Sequence, residues 1–157
     1  MSKISPSVLQ FLTKLEDNNN RDWFNENKTT YQAAHAEVVD LADELLNELK
    51  QHDEISTASG KKSLMRIYRD VRFSKDKSPF KARFAGSFSR VKPALRGGYF
   101  FNIQPGQTVV GGGFYGPNPE DLKLIRNHIA QDDSQLREVL NDKDFSRVFG
   151  GLLGEQV

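Results

Sequence analysis

The sequence predicts an α+β fold, with N-terminal helices packed on a mainly antiparallel sheet and short helices at the C-terminal end. Three observations carry this reading. Apolar residues recur at helical spacing through the first third of the chain, give way to short aromatic and alternating runs, and then return to helical spacing. The connections between the expected strands are too short for parallel crossovers, so the pairing should be antiparallel. A length of 157 residues with 37% hydrophobic and 27% charged residues suits one folded core, and residues 1–157 are expected to form a single domain.

Each element has a local reason. Ser5 is placed to cap a first helix and Pro6 to open it, with Val8, Leu9, Phe11, Leu12 and Leu15 at helical spacing. Asn18-Asn19-Asn20 breaks that helix, since asparagine tolerates capping and left-handed backbone. Trp23 and Phe24 then open a long amphipathic helix that continues through Tyr31, Ala34, Val38, Leu41, Leu45 and Leu49. Gln51 to Lys62 is polar and loop-like. Leu64 to Phe73 is rich in β-branched, aromatic and arginine residues, and Phe84 to Val91 alternates loosely. Tyr99 to Gln104 and Thr108 to Tyr115 flank Pro105-Gly106-Gln107 as a hairpin, with Gly111-Gly112-Gly113 suggesting a bulge or close backbone packing. Asn118-Pro119 opens another helix whose buried face should be Leu122, Ile125 and Ile129. Short helices are expected at Ser134–Leu140 and Asp144–Phe149, ended by Gly150-Gly151.

Composition excludes several functions. There is no cysteine, hence no disulfide framework, thiolate metal site or cysteine nucleophile. No apolar run approaches the roughly 20 residues of a membrane span, and Met1 to Pro6 lacks a signal peptide's apolar core. A cytoplasmic protein without membrane contact is expected. The net charge of +1 conceals an asymmetry. From Gly60 to Arg96 there are twelve lysines and arginines against Asp70 and Asp76 alone, and the remainder carries ten basic and nineteen acidic residues. Segregation of this kind sets up a positive field over one part of a surface.

The densest part of that field is Arg66 to Lys81. If residues 65–73 are extended, Met65, Ile67, Val71 and Phe73 share one face. Arg69 falls on the same face and must be paired or reach a cavity. Asp70, between Arg69 and Arg72, is placed to orient either guanidinium by a bidentate contact. Ser74 to Pro79 reads as a loop, and a loop bearing Lys75, Lys77 and Lys81 beside an arginine-bearing strand suits an anionic ligand.

The stretch Arg69-Asp-Val-Arg-Phe-Ser-Lys-Asp-Lys-Ser-Pro-Phe-Lys81 resembles the hallmark of domain-of-unknown-function family 2461. Phe11-Leu12, the Asn18 to Phe24 element Asn-Asn-Asn-Arg-Asp-Trp-Phe, Gly98-Tyr99-Phe100, Gly112 to Tyr115 and Leu122 to Arg126 support the resemblance. Together these motifs span most of the chain. The resemblance implies a shared fold and brings no activity with it. Members of the family usually continue into a further basic, proline-containing segment, so this chain is expected to be a short or truncated member.

Three function classes remain. The first is a binding module, in which Arg66, Arg69, Asp70, Arg72, Lys75, Lys77, Lys81 and Arg83 hold a phosphate-bearing ligand such as a nucleotide or nucleic acid. Nearby Tyr68, Phe73, Phe80, Phe84 and Phe88 would then stack bases, although phenylalanine at strand spacing more often forms core. The second is an enzyme acting on an anionic substrate with Asp70 or Asp76 as acid or base. Ser-x-x-Lys occurs four times in this lysine-rich region, at Ser59, Ser74, Ser78 and Ser89, which reflects composition and not a catalytic dyad. The third is self-association or protein contact through opposed charged surfaces. His35, His52 and His128 lie on separate elements without ligand spacing, so no metal or cofactor is expected. The oligomeric state is not specified by the sequence.

Overall fold

A computed structural model describes residues 3–151. The chain divides into two compact units, Met1–Phe114 and Tyr115–Val157. The first contains α1 (Pro6–Asp17), α2 (Arg21–Glu26), α3 (Lys28–His52), α4 (Gly60–Ser63), β1 (Phe84–Ser89), β2 (Gly98–Ile103) and β3 (Val109–Gly113). The class is α+β, as the sequence predicts.

Pro6 opens α1, but Ser5 does not cap it. Its hydroxyl and backbone N–H instead donate to the Glu37 carboxylate at 2.9 and 3.1 Å, which ties the start of α1 to α3. The asparagine run is the expected break. Asn18 ends α1, and Asn20 caps α2 by accepting from the Trp23 N–H at 3.0 Å. Trp23 and Phe24 therefore lie on a separate short helix, and α3 starts afresh at Lys28.

The core is built from Val8, Phe11, Leu12 and Leu15 of α1, Phe24 of α2, and Ala34, Val38, Ala42 and Leu46 of α3. Phe84, Phe88, Phe101 and Ile103 of the sheet close it from the other side, with Ile55, Ile67 and Phe80 from connecting segments. The buried stripe of α3 advances by four residues. Tyr31, Leu41, Leu45 and Leu49, expected at its centre, pack along its margin.

The sheet has the order β1-β2-β3, antiparallel throughout. Phe84 faces Ile103 and Ser89 faces Gly98; on the other side Gly98 faces Gly113 and Asn102 faces Val109. The Pro105-Gly106 turn closes with the Gln107 N–H donating to the Gln104 carbonyl at 3.1 Å. The register is unbroken through Gly111 and Gly112, so the glycines mark close packing and no bulge. A Cβ there would stand 2.7 Å from the Phe100 ring or 2.9 Å from the Tyr99 ring, and the missing side chains give those cross-strand rings their places.

Two contacts fasten α3 to later segments of the chain. At its end, Asp53 accepts from the Tyr99 hydroxyl at 2.8 Å and pairs with Arg90 at 2.7 Å. The Tyr99 hydroxyl, and Arg90 after it, hold the Asp53 carboxyl below the usual carboxylate range. Arg90, one of the twelve cations of the basic stretch, is thereby occupied structurally. Nearer its middle, α3 meets α4 directly, and the Gly60 N–H donates to Asp43 at 2.6 Å.

His35 on α3 is half-buried beside Tyr31 and Phe84. Burial chiefly, and the Lys61 charge secondarily, lower its pKa. The unfolded chain then binds more protons than the folded one between the lowered value and the ordinary value of about 6.5. Stability contributed by neutral His35 is complete above about pH 6.5 and is lost as the pH falls toward the lowered value. Melting temperatures recorded from about pH 7.5 to 5 should decline, and His35→Gln should flatten that decline. Identical slopes in the two proteins would place the titration elsewhere.

The second unit contains α5 (Pro119–Gln131), α6 (Ser134–Asn141) and α7 (Lys143–Phe149). Asn118 caps α5 by accepting from the Asp121 N–H at 2.8 Å, and Gly150 ends α7 with a positive φ of 79°, as the sequence predicts. Asp142 caps α7, and Phe145 and Phe149 pack with ring centres 5.0 Å apart. The expected burial of Leu122, Ile125 and Ile129 is not found, since no side chain of α5 is buried. The start of the helix is set locally by the Asn118 cap and Pro119, whereas burial needs tertiary partners, and among the described residues Ile125 and Ile129 stay exposed. No helix among the described residues is long and apolar enough to cross a membrane.

Candidate functional site

The basic segment 66–81 is not a strand. Leu64 bridges Gly86 and Tyr68 bridges Phe80, both antiparallel, and between Tyr68 and Phe80 the chain makes a wide loop. The Arg69 N–H donates to the Pro79 carbonyl at 2.9 Å and the Lys81 N–H to the Ile67 carbonyl at 2.7 Å, so the loop has a two-bonded neck. The alternation expected over residues 65–73 fails on both sides of this neck. Ile67 is buried, but Met65 is exposed and Phe73 is 97% exposed. Among the described residues no strand pairs with residues 70–74 to hold them extended, and the Val71 to Ser74 turn forms instead, closed by a 3.4 Å hydrogen bond.

Charges fix the loop from within. Arg69, expected to need a partner, has one in Asp76. Asp76 also accepts from the Ser78 hydroxyl at 2.6 Å and the Ser78 N–H at 2.8 Å. These bonds from Ser78, with Arg69 beside them, bring the Asp76 carboxyl down to about 2. Asp70 takes Arg72 in a bidentate contact, Nε to Oδ1 at 2.9 Å and Nη2 to Oδ2 at 2.6 Å, and this lowers its carboxyl. The Lys77 ammonium donates to the Val71 carbonyl at 3.0 Å. Lys75 is exposed.

The loop is anchored from outside by the Asn18 to Phe24 element. The Asn19 amide accepts from the Phe80 N–H at 3.1 Å and donates to the Phe80 carbonyl at 3.0 Å. Phe24 stacks on the Phe80 ring at 4.0 Å with 16° between planes, and Tyr68 packs on Phe80 at 5.3 Å. The second asparagine of the run thus serves as an anchor, while its neighbours Asn18 and Asn20 serve as caps. Its signal in the sequence is its place in the Asn-Asn-Arg-Asp-Trp-Phe element, but nothing local names its partner 61 residues away.

Around this anchor lies a cleft of about 430 Å³ lined by Arg69, Lys81, Arg83, Asn19, Ser78 and Gln104, with Glu16 and Asp76 as its acidic members. Of the eight residues proposed from sequence, Arg69, Lys81 and Arg83 come together here. Arg66, Asp70 and Arg72 line a separate cleft that meets the first at Arg69, and Lys75 and Lys77 line neither. Asn19, Ser78 and Gln104 escape a reading of the sequence because short polar side chains carry no charge signal. Among the described residues neither Lys81 nor Arg83 forms an ion pair, while Arg69 is matched by Asp76. No three histidine, aspartate or glutamate side chains among the described residues gather as a metal site requires.

Neither the curated proteins nor the solved structures include a match to this chain. The model of one family does match, over residues 7–157, and that span contains the Asn-Asn-Arg-Asp-Trp-Phe element, the anchored basic loop and all three strands. The chain belongs to the family of conserved hypothetical proteins DUF2461.

Proposed function

We propose that this protein binds a phosphate-bearing ligand in the cleft lined by Arg69, Lys81 and Arg83. The convergence of these three cations on one concavity supports the reading. Lys81 and Arg83 have no carboxylate partner among the described residues, so an anion meeting them displaces no ion pair. Glu16 and Asp76 offset part of the charge, and Asp76 is already engaged with Arg69 and Ser78. Hydrogen-bonding side chains complete the lining. The Ser78 hydroxyl and N–H are both spent on Asp76, whereas the Asn19 amide, oriented by the Phe80 backbone, keeps a second N–H. A phosphate accepts from such an N–H as well as from the cations.

Acid catalysis by the same groups fits less well. A carboxyl held at about 2, as Asp76 is, has no proton to give near neutral pH and is a feeble base. Binding therefore accounts for more of the geometry than chemistry does.

Lys81→Ala and Arg83→Ala should each weaken the binding of tripolyphosphate about tenfold at low salt, and the double substitution should remove it. Lys77→Ala should matter less, because that ammonium lies outside the cleft and is engaged with the Val71 carbonyl. Titration calorimetry at two salt concentrations decides the matter. Binding that ignores both substitutions and salt would exclude this site.

A further inference from the structure

The cation-lined cleft has two neighbours, and Arg69 lines all three. The middle one, about 240 Å³, is formed around Phe24, Tyr68, Pro79 and Phe80, with Arg21 and Asn25 also contributing. The outer one, about 380 Å³, is bordered by Arg66 and Arg72. The ring-lined cleft shares Phe80 with the first and Tyr68 and Val71 with the Arg66–Arg72 cleft, and all three meet at Arg69.

The middle cleft is below the size of pockets that take drug-sized molecules, and suits one planar ring system. Tyr68 is 57% exposed, yet its ring is backed by Phe80 at 5.3 Å and Phe24 at 5.9 Å. An exposed ring on rigid support is a stacking platform, whereas Phe84 and Phe88, also expected to stack bases, belong to the core. The Arg21 guanidinium and the Asn25 amide add donors for a polar ring edge. In the outer cleft Arg72 is held by Asp70, and Arg66 forms no ion pair among the described residues.

We infer that the ligand is a single-stranded nucleic acid, with one base seated against Tyr68 and its flanking phosphates in the two cation-lined clefts. The inference rests on the anion-binding reading above and goes beyond it. Inorganic polyphosphate supplies the charges but leaves the ring cleft empty. A mononucleotide supplies a ring and charge on one side only. A strand supplies a ring between two phosphates, and an unpaired one leaves its base faces open to stacking. Stacking of this kind tolerates any base, so little sequence preference is expected.

The test compares oligothymidylate of about five nucleotides with tripolyphosphate, on the full chain and on Tyr68→Ala and Tyr68→Trp. The oligonucleotide should bind at least about tenfold more tightly than tripolyphosphate. Tyr68→Ala should erase that advantage while leaving tripolyphosphate affinity unchanged, which also shows that the variant is folded. Tyr68→Trp should retain the advantage. The logarithm of affinity should fall with the logarithm of salt concentration with a slope of about −1.4, for two phosphates of a single strand. Equal affinity for the two probes, or equal loss of both in Tyr68→Ala, would overturn the inference and leave the anion site standing. Failure of both probes to bind the wild-type protein at low salt would overturn both readings.

Discussion

Phe24→Ala is expected to destabilise the N-terminal unit by about 3–5 kcal/mol, the cost of emptying a buried aromatic site, and to weaken the proposed anion binding in the cleft. Phe24 is 2% exposed and contacts Tyr31, Tyr68 and Phe80. Its near-parallel stack on Phe80 is the hydrophobic half of the anchor whose polar half is Asn19. Removing the ring leaves a void under the neck of the basic loop. Phe24→Leu retains much of the volume and should cost less than half as much. Denaturant midpoints for the two variants give the stability difference. Tripolyphosphate binding, measured where each remains folded, separates lost stability from lost shape. A cost below about 1 kcal/mol for Phe24→Ala would mean that the anchor is not part of the cooperative core.

Gly60→Ala should be nearly as damaging, at about 3 kcal/mol, through collision and not through a void. A methyl group there would stand 2.4 Å from the Asp43 nitrogen, 2.7 Å from the Val39 oxygen and 2.8 Å from the Ala42 carbonyl carbon. All three are backbone atoms of α3, so no side chain can swing aside. Separating α4 from α3 would also stretch the 2.6 Å bond from Gly60 to Asp43. A fall in melting temperature on the order of 10 °C is expected. Gly151→Ala, with open space around it, serves as the control and should stay within about 0.5 kcal/mol of the parent. A Gly60→Ala protein as stable as the control would show that α4 is not seated as described.

The elements that can be read from sequence are those with local causes. Val8 to Leu15 and Ala34 to Leu49 announce helices by period, the asparagine run announces a break, Asn118 announces a start by capping, and Pro105-Gly106 announces a hairpin by its turn. The basic loop is visible as charge and invisible as shape. Its β-branched and aromatic residues mimic a strand, but strands are made by partners, and here pairing stops at Arg69. The bidentate Asp70–Arg72 contact is within reach of sequence because its members are two residues apart. The Arg69–Asp76 pair, the Asn19–Phe80 amide pair and the gathering of Arg69 with Lys81 and Arg83 are set by chain path, which charge alone does not encode. The same blindness explains Gly60. Its place against α3 is a tertiary fact, and the glycine sits in a stretch that reads only as polar.

The pairing of Asn19 with Phe80 also bears on when, during folding, the proposed recognition becomes available. It joins residues 61 apart and encloses all of α2, α3 and α4, and closing so long a loop carries an entropic cost that local structure does not offset. Helices form early and such distant contacts late. A chain whose helices have formed but whose first turn has not docked on Phe80 therefore has the whole basic segment and no cleft. The proposed anion binding is then acquired in the closing step, and a peptide cut from residues 66–81 carries the charge of the segment without the shape of the cleft.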